Sequence, residues 1–256
     1  MSSKRERNDR QSPKKPDFRG RPESGPKRDR APNPPRPGTA DSTPRTHRPK
    51  GDADHWLWGR HPVLAALANP ARKGMGRLLA VPERAAEIER DGLAPHGHRV
   101  EIVDVPTLAR LLPQGAVHQG LALKMAPLEG VGLEDVAQPA EGVIVMLDQL
   151  TDPQNVGAIF RSALAFGARG VVVQDRHSPA LAGALAKAAA GATERLPCVR
   201  ATNLSRALER LADLGWRAVG LDGSAERTLE EALDGGPTVL VMGSEGDGLR
   251  RLGAEH

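Results

Sequence analysis

Apolar positions are nearly missing from the first fifth of the chain, then recur first with a mixed and later with a much cleaner period. Residues 1–50 hold ten prolines and almost no apolar side chains. Such a segment cannot bury enough surface to offset the entropy of ordering it, so residues 1–53 read as a disordered tail. Order is expected from Asp54. The run Trp58 to Leu67 predicts a helix, with Pro62 at an early helical position and Val63, Leu64 and Leu67 at helical spacing. Gly76–Val81 predicts a strand, residues 82–91 a helix of alternating charge, Arg99–Val103 a second strand, Thr107–Leu112 a short helix and Leu121–Lys124 a third strand. This alternation predicts a small α/β domain over residues 54–126.

Residues 127–141 contain Pro127, Gly130, Gly132 and Pro139 with several acids, and read as an interdomain linker. From Gly142 the pattern sharpens. Val143-Ile144-Val145-Met146-Leu147 is a continuous apolar run, as in a strand buried on both faces. The pattern then predicts a helix over about 156–166, a strand at Gly170–Val173, an alanine-rich helix over about 179–190, and a helix over 203–214 with Leu204, Leu208 and Leu211 on one face. Trp216–Leu221 and Thr238–Met242 complete the expected strands. The fold class is α/β: a mostly parallel sheet over residues 142–256 with helices on both sides. Ligands of such sheets bind outside the carboxyl ends of the strands.

Charge changes the picture in one respect. Residues 1–50 contain 15 Lys or Arg against 6 Asp or Glu, whereas the rest contains 21 against 26. The basic balance therefore belongs to the tail, whose flexible reach is on the order of 40 Å. It is either a solubilising segment or a loose grip on a polyanion. One cysteine, Cys198, excludes an intrachain disulfide and a cysteine metal cluster, so no metal site is expected. No apolar run reaches the roughly 18 residues of a membrane span, and no apolar segment follows the basic start as in a secretory signal. A cytoplasmic protein is the expectation. Aromatic residues are 2% of the chain and Tyr is absent, which argues against a broad base-stacking platform.

Candidate chemistry lies in loops after strand carboxyl ends. The first runs from Leu147-Asp148 through Thr151-Asp152-Pro153 to Asn155 and Arg161. Asn155 stands where a helix should start, and is either an ordinary N-cap or a functional amide. Gly157 and Arg161 are four apart and share a helix face. A helical glycine costs about 1 kcal/mol relative to Ala, which suggests that something approaches the backbone there. Arg161 is either a surface ion-pair partner or a phosphate contact. The second loop, Met242-Gly243-Ser244-Glu245-Gly246-Asp247-Gly248, offers accessible backbone amides to a ligand. Its spacing is neither the dinucleotide fingerprint nor a Walker loop. The third, Leu221-Asp222-Gly223-Ser224, is either a plain turn or a wall of an adenosine site. His118 and Cys198 read as structural.

At these residues the sequence resembles the SpoU, or TrmH-like, family of RNA 2′-O-methyltransferases, and within it the bacterial 23S rRNA guanosine branch. Asn155 through Arg161 resembles the family's first motif, and Leu240 through Leu249 the second. Gly115-Ala116-Val117-His118-Gln119-Gly120 resembles the joint between the small domain and the catalytic domain, and Gly59-Arg60-His61-Pro62-Val63 the start of that small domain. The resemblance implies S-adenosylmethionine as cofactor, a C-terminal trefoil knot of the SPOUT type, a homodimer, and a small N-terminal α/β module that helps bind RNA. It implies Arg161, Asn155 and Glu245 as the catalytic set, and Gly243, Ser244, Glu245, Gly246, Leu221, Asp222 and Gly223 as the cofactor set. The family's third motif, with a Ser-Leu-Asn core, has no counterpart up to His256, so the last knot segment is expected to be missing and the methyltransferase domain of 142–256 truncated. Methylation of a ribose 2′-hydroxyl in RNA, in 23S rRNA or alternatively tRNA, is the expected function. A catalytically silent RNA-binding protein of the same fold and a metabolite-binding regulator are the other readings.

Overall fold

The computed structural model describes residues 55–74, 76–94 and 98–243. The tail, most of the second glycine loop and the C-terminal residues on which the knot and truncation readings bear lie outside the described residues. Two sheets organise what is described. The first has the order β1-β4-β2-β3, with β1 at Trp56–Trp58, β2 at Arg77–Ala80, β3 at Val100–Ile102 and β4 at Leu121–Lys124. β4 runs antiparallel to both β1 and β2, and β2 pairs with β3 in parallel. Helices α1 (Arg60–Ala68) and α2 (Pro82–Arg90) cover one face, where Leu57, Leu78 and Leu123 meet Val63 and Ile88. Helix α3 (Val105–Leu111) covers the other, where Trp56, Trp58 and Leu79 meet Leu108. The start of the first helix differs from expectation. Trp58 ends a strand, and the helix begins only after Gly59, whose φ of 92° breaks the backbone direction.

The segment read as a linker holds helix α4 (Leu133–Ala137), whose Val136 and Ala137 are buried in the core of the second sheet. Val131 forms a parallel bridge to Val199. The second sheet has the order β7-β6-β5-β9-β8 and is parallel throughout. Its strands are β5 (Val143–Asp148), β6 (Gly170–Gln174), β7 (Cys198–Ala201), β8 (Arg217–Leu221) and β9 (Thr238–Gly243). Alternate side chains of β5 go to opposite layers. Val145 and Leu147 pack with α5 (Pro153–Ala165) and α6 (Gly183–Ala189), while Ile144 and Met146 pack with α4 and α7 (Leu204–Asp213). This is why the strand reads as an unbroken apolar run. A short α8 (Leu229–Ala232), closed by a Thr228–Glu231 capping box, links β8 to β9.

Helix α6 also reaches the first sheet. Ala182 and Ala186 belong to the cluster around Val63 and Leu78, and Ala184 packs toward Trp58. An ion pair spans the same junction. Arg72 donates from Nε and Nη2 to Glu194 at 2.9 and 2.6 Å, and Asn69 Nδ2 donates to Glu194 at 2.9 Å. Both ionic side chains are almost wholly buried, at 3% and 1% exposure.

Candidate active site

Register places the strand ends. In the β5–β9–β8 ladder, Asp148 lies opposite Gly243, Leu147 opposite Met242, and Met242 opposite Leu221. Asp148, Gly243 and Leu221 thus finish side by side on one carboxyl edge, across roughly 10 Å. All three loops marked in the sequence leave the sheet there. Asp148 is buried at 7% exposure. Gln149, directly after it, has a φ of 55°, a left-handed conformation that non-glycine residues adopt at a cost and that concentrates at functional turns.

The chain then enters α5. Its N-cap is Asp152, whose carboxylate accepts from the N–H groups of Gln154 (3.2 Å) and Asn155 (3.3 Å), with Pro153 in the first turn. Asn155 is therefore not the cap. Its own N–H is satisfied by Asp152, and its side chain is exposed at the carboxyl edge. Gly157 does have something against its backbone, as its cost suggested. An added Cβ would come within 2.5 Å of the Leu185 carbonyl oxygen and 2.6 Å of Ala188 Cβ. What approaches the backbone is α6. Arg161 is exposed. It lies about 9 Å along the helix axis from Asn155 and about 120° around it, so α5 directs the two side chains differently.

Asp222 Oδ1 accepts from the N–H of Ser224 (2.8 Å) and from its hydroxyl (2.6 Å), an Asx turn of the ordinary kind. Beside it, Gly223 has no neighbour among the described residues within 4 Å of an added Cβ. Ser244, Glu245 and Gly246 lie outside the described residues. His118 Nδ1 accepts from the Gly120 N–H at 3.1 Å and braces a turn. Cys198 is buried among apolar neighbours, which pushes its thiol pKa up to about 11. Among the described residues no group of His, Cys, Asp or Glu is arranged to hold a metal ion.

The sequence did not single out Gln119 and Lys187 as site residues. Gln119, at a φ of 53°, accepts through Oε1 from the Arg60 N–H and from Lys187 Nζ, each at 3.1 Å. So the Gly59-Arg60 segment and the Gln119-Gly120 segment converge on α6. Beside them runs a groove of about 560 Å³, lined by both layers, from Trp58 and Val117 to Gln154, Ala180 and Lys187. The available signal was the glycine after Trp58 and the glycine after Gln119, each at positive φ.

Comparison with known proteins shows which family the chain belongs to. The chain is 38% identical over 215 residues to an uncharacterized tRNA/rRNA methyltransferase of Mycolicibacterium smegmatis, covering 81% of this chain and 68% of that one. It is 40% identical over 220 residues to one of Mycobacterium sp. (strain KMS), with the same shares. The chain belongs to the SpoU methylase family. The model of the SpoU rRNA methylase family matches residues 142–256, and that of RNA 2′-O ribose methyltransferase substrate binding matches residues 56–131. The two matches fall on the two sheets in turn. Solved SpoU structures share the fold. That of AviRb from Streptomyces viridochromogenes, in complex with AdoMet, has a TM-score of 0.59 at 24% identity, covering 76% of this chain and 74% of its own. An rRNA methyltransferase from Sinorhizobium meliloti has a TM-score of 0.58 at 22% identity, covering 78% and 77%. As a SpoU-family RNA methyltransferase, this chain has the parallel sheet expected of it. Among the described residues no helix is long and apolar enough to cross a membrane.

Proposed function

We propose that this chain transfers the methyl group of S-adenosylmethionine to a ribose 2′-hydroxyl of RNA, a guanosine of 23S rRNA being the favoured acceptor and tRNA the alternative. The observation that carries the reading is a juxtaposition. A parallel-sheet carboxyl edge with a strained turn at Gln149 stands in one chain with a layer matched by a 2′-O-ribose substrate-binding model. The motif resemblance supports guanosine in 23S rRNA, and an RNA substrate supports a cytoplasmic place of action.

The carboxyl edge fits the cofactor. Leu221 and Met242 are partly buried on adjacent strands, an apolar wall suited to an adenosine. Among the described residues nothing crowds Gly223. In this reading Leu221, Asp222, Gly223, Gly243, Ser244, Glu245 and Gly246 hold the cofactor, which when bound supplies an electrophilic methyl on a sulfonium. The Arg161 guanidinium anchors the phosphate beside the acceptor sugar and favours loss of the 2′-hydroxyl proton. Asn155 orients the ribose, and Glu245 shapes the gap between the two substrates. Because α5 sends Asn155 and Arg161 in different directions, a homodimer that brings Arg161 of a second copy to the edge is part of the proposal. Phe166, 91% exposed at the end of the same helix, supports a covering partner.

Arg161→Ala tests the assignment, since an exposed side chain can be removed without disturbing the core. The expected result is unchanged calorimetric binding of S-adenosylmethionine and a loss of methyl transfer to ribosomal RNA of about 10²-fold or more, as misplacement of reacting groups produces. Full activity in that variant removes Arg161 from the site. Nucleoside mass spectrometry that finds the new methyl on a base would overturn the ribose assignment.

A further inference from the structure

We infer that the groove between the two sheets is a nucleotide subsite, taking one nucleotide of the substrate RNA with its phosphate on Lys187 and its base against the apolar walls. This rests on the RNA reading above and names where the strand runs. The groove's volume, about 560 Å³, falls in the range of small-molecule sites. Its walls come from Trp58 and Val117 on one side and from Pro153, Ala180 and Ala184 on the other. Val117 is 65% exposed, an apolar side chain presented to solvent on the rim.

Charge selects the occupant. Among the described residues of the lining, Lys187 alone is ionisable, so no carboxylate among them competes with an anion there. The residue is partly buried, and among the described residues the hydrogen-bond partner of its ammonium is the neutral amide of Gln119 at 3.1 Å. Burial holds its pKa below the usual lysine range. A partly desolvated cation with a neutral partner gains from an incoming phosphate. Gln114 and Gln154, both exposed, each present donor and acceptor atoms to a base edge. Gln154 immediately precedes Asn155, so the groove opens onto the first turn of α5 at the carboxyl edge. One cation and a narrow apolar slot suit a splayed single-stranded nucleotide rather than a duplex.

The test uses the full chain, a fluorescein-labelled single-stranded oligoribonucleotide of mixed sequence, and anisotropy over a salt series. Lys187→Met is expected to weaken RNA binding about tenfold, as loss of a charged hydrogen bond does, and to flatten the salt slope by about 0.7. Lys187→Arg should keep the slope. Ala180→Trp, which fills the slot away from the Gln119 contact, should weaken binding with the slope unchanged. Calorimetric affinity for S-adenosylmethionine should stay within twofold in all three. Unaltered RNA affinity in both Lys187→Met and Ala180→Trp overturns the subsite. A defect in Lys187→Met alone assigns the lysine to the junction and also overturns it. If the unaltered chain binds RNA through the groove but transfers no methyl, the catalytic reading fails and the subsite stands. If it binds no RNA, both fail.

Discussion

A single missing methyl group at Gly157 fixes how closely α5 and α6 approach. Gly157→Ala would gain about 1 kcal/mol in helix propensity, yet its Cβ would meet the Leu185 carbonyl oxygen at 2.5 Å, a backbone atom that cannot swing aside. Overpacking of this kind costs about 1–3 kcal/mol, so denaturant unfolding should show a net loss of stability. A second residue-level expectation concerns Cys198. With its thiol pKa raised to about 11 by burial, little thiolate exists at pH 8. A disulfide exchange reagent should label the native chain far more slowly than the unfolded one. At this scale the sequence was legible by type and less so by role. Proximity to a helix start was clear for Asn155, but Asp152 holds the cap because Pro153 suits the position just after a cap. The cost of Gly157 was readable, whereas the identity of what approaches it depended on a helix about 30 residues away.

Among the elements, the long apolar strands β5, β6 and β9 stood out, because burial on both faces leaves an unmistakable run. β7 did not. It is four residues long, follows Pro197, contains Arg200 and sits at the sheet edge, so neither period nor composition marks it. Helix α6 is shorter than its alanines suggest, starting at Gly183, whose φ is 58°. Helix α4 is invisible for the opposite reason: its surroundings are rich in glycine and proline, and only burial of Val136 and Ala137 shows that it is core. The turn after α6 carries the junction's ion pair. Glu194→Gln would leave the buried guanidinium of Arg72 without its counter-charge, a change that costs about 3–5 kcal/mol. Urea unfolding should show this. The double variant Arg72→Met with Glu194→Leu should lose less than the single one, because no lone charge remains.

For the whole molecule, the α/β class with its parallel sheet was evident from period and composition, and the family from two motifs. The junction was not, since Arg72 and Glu194 are 122 residues apart and nothing local announces either. The basic residues 1–50 belong to this scale as well. If they neutralise RNA phosphates, deleting them should flatten the salt dependence of binding by about 0.7 for each phosphate no longer paired on single strands, and an unchanged slope would make them bystanders. Helix α6 faces three hydrophobic clusters at once through Ala184, Leu185 and Ala186, with Ala182 at its N-cap. Its small side chains are thus fitted to both sheets simultaneously, although they sit wholly within the stretch matched by the methylase model. A chimaera that imports a foreign RNA-recognition layer by splicing at residue 131 would inherit a mismatched seam. It should fold well only if the facing alanines travel with the graft.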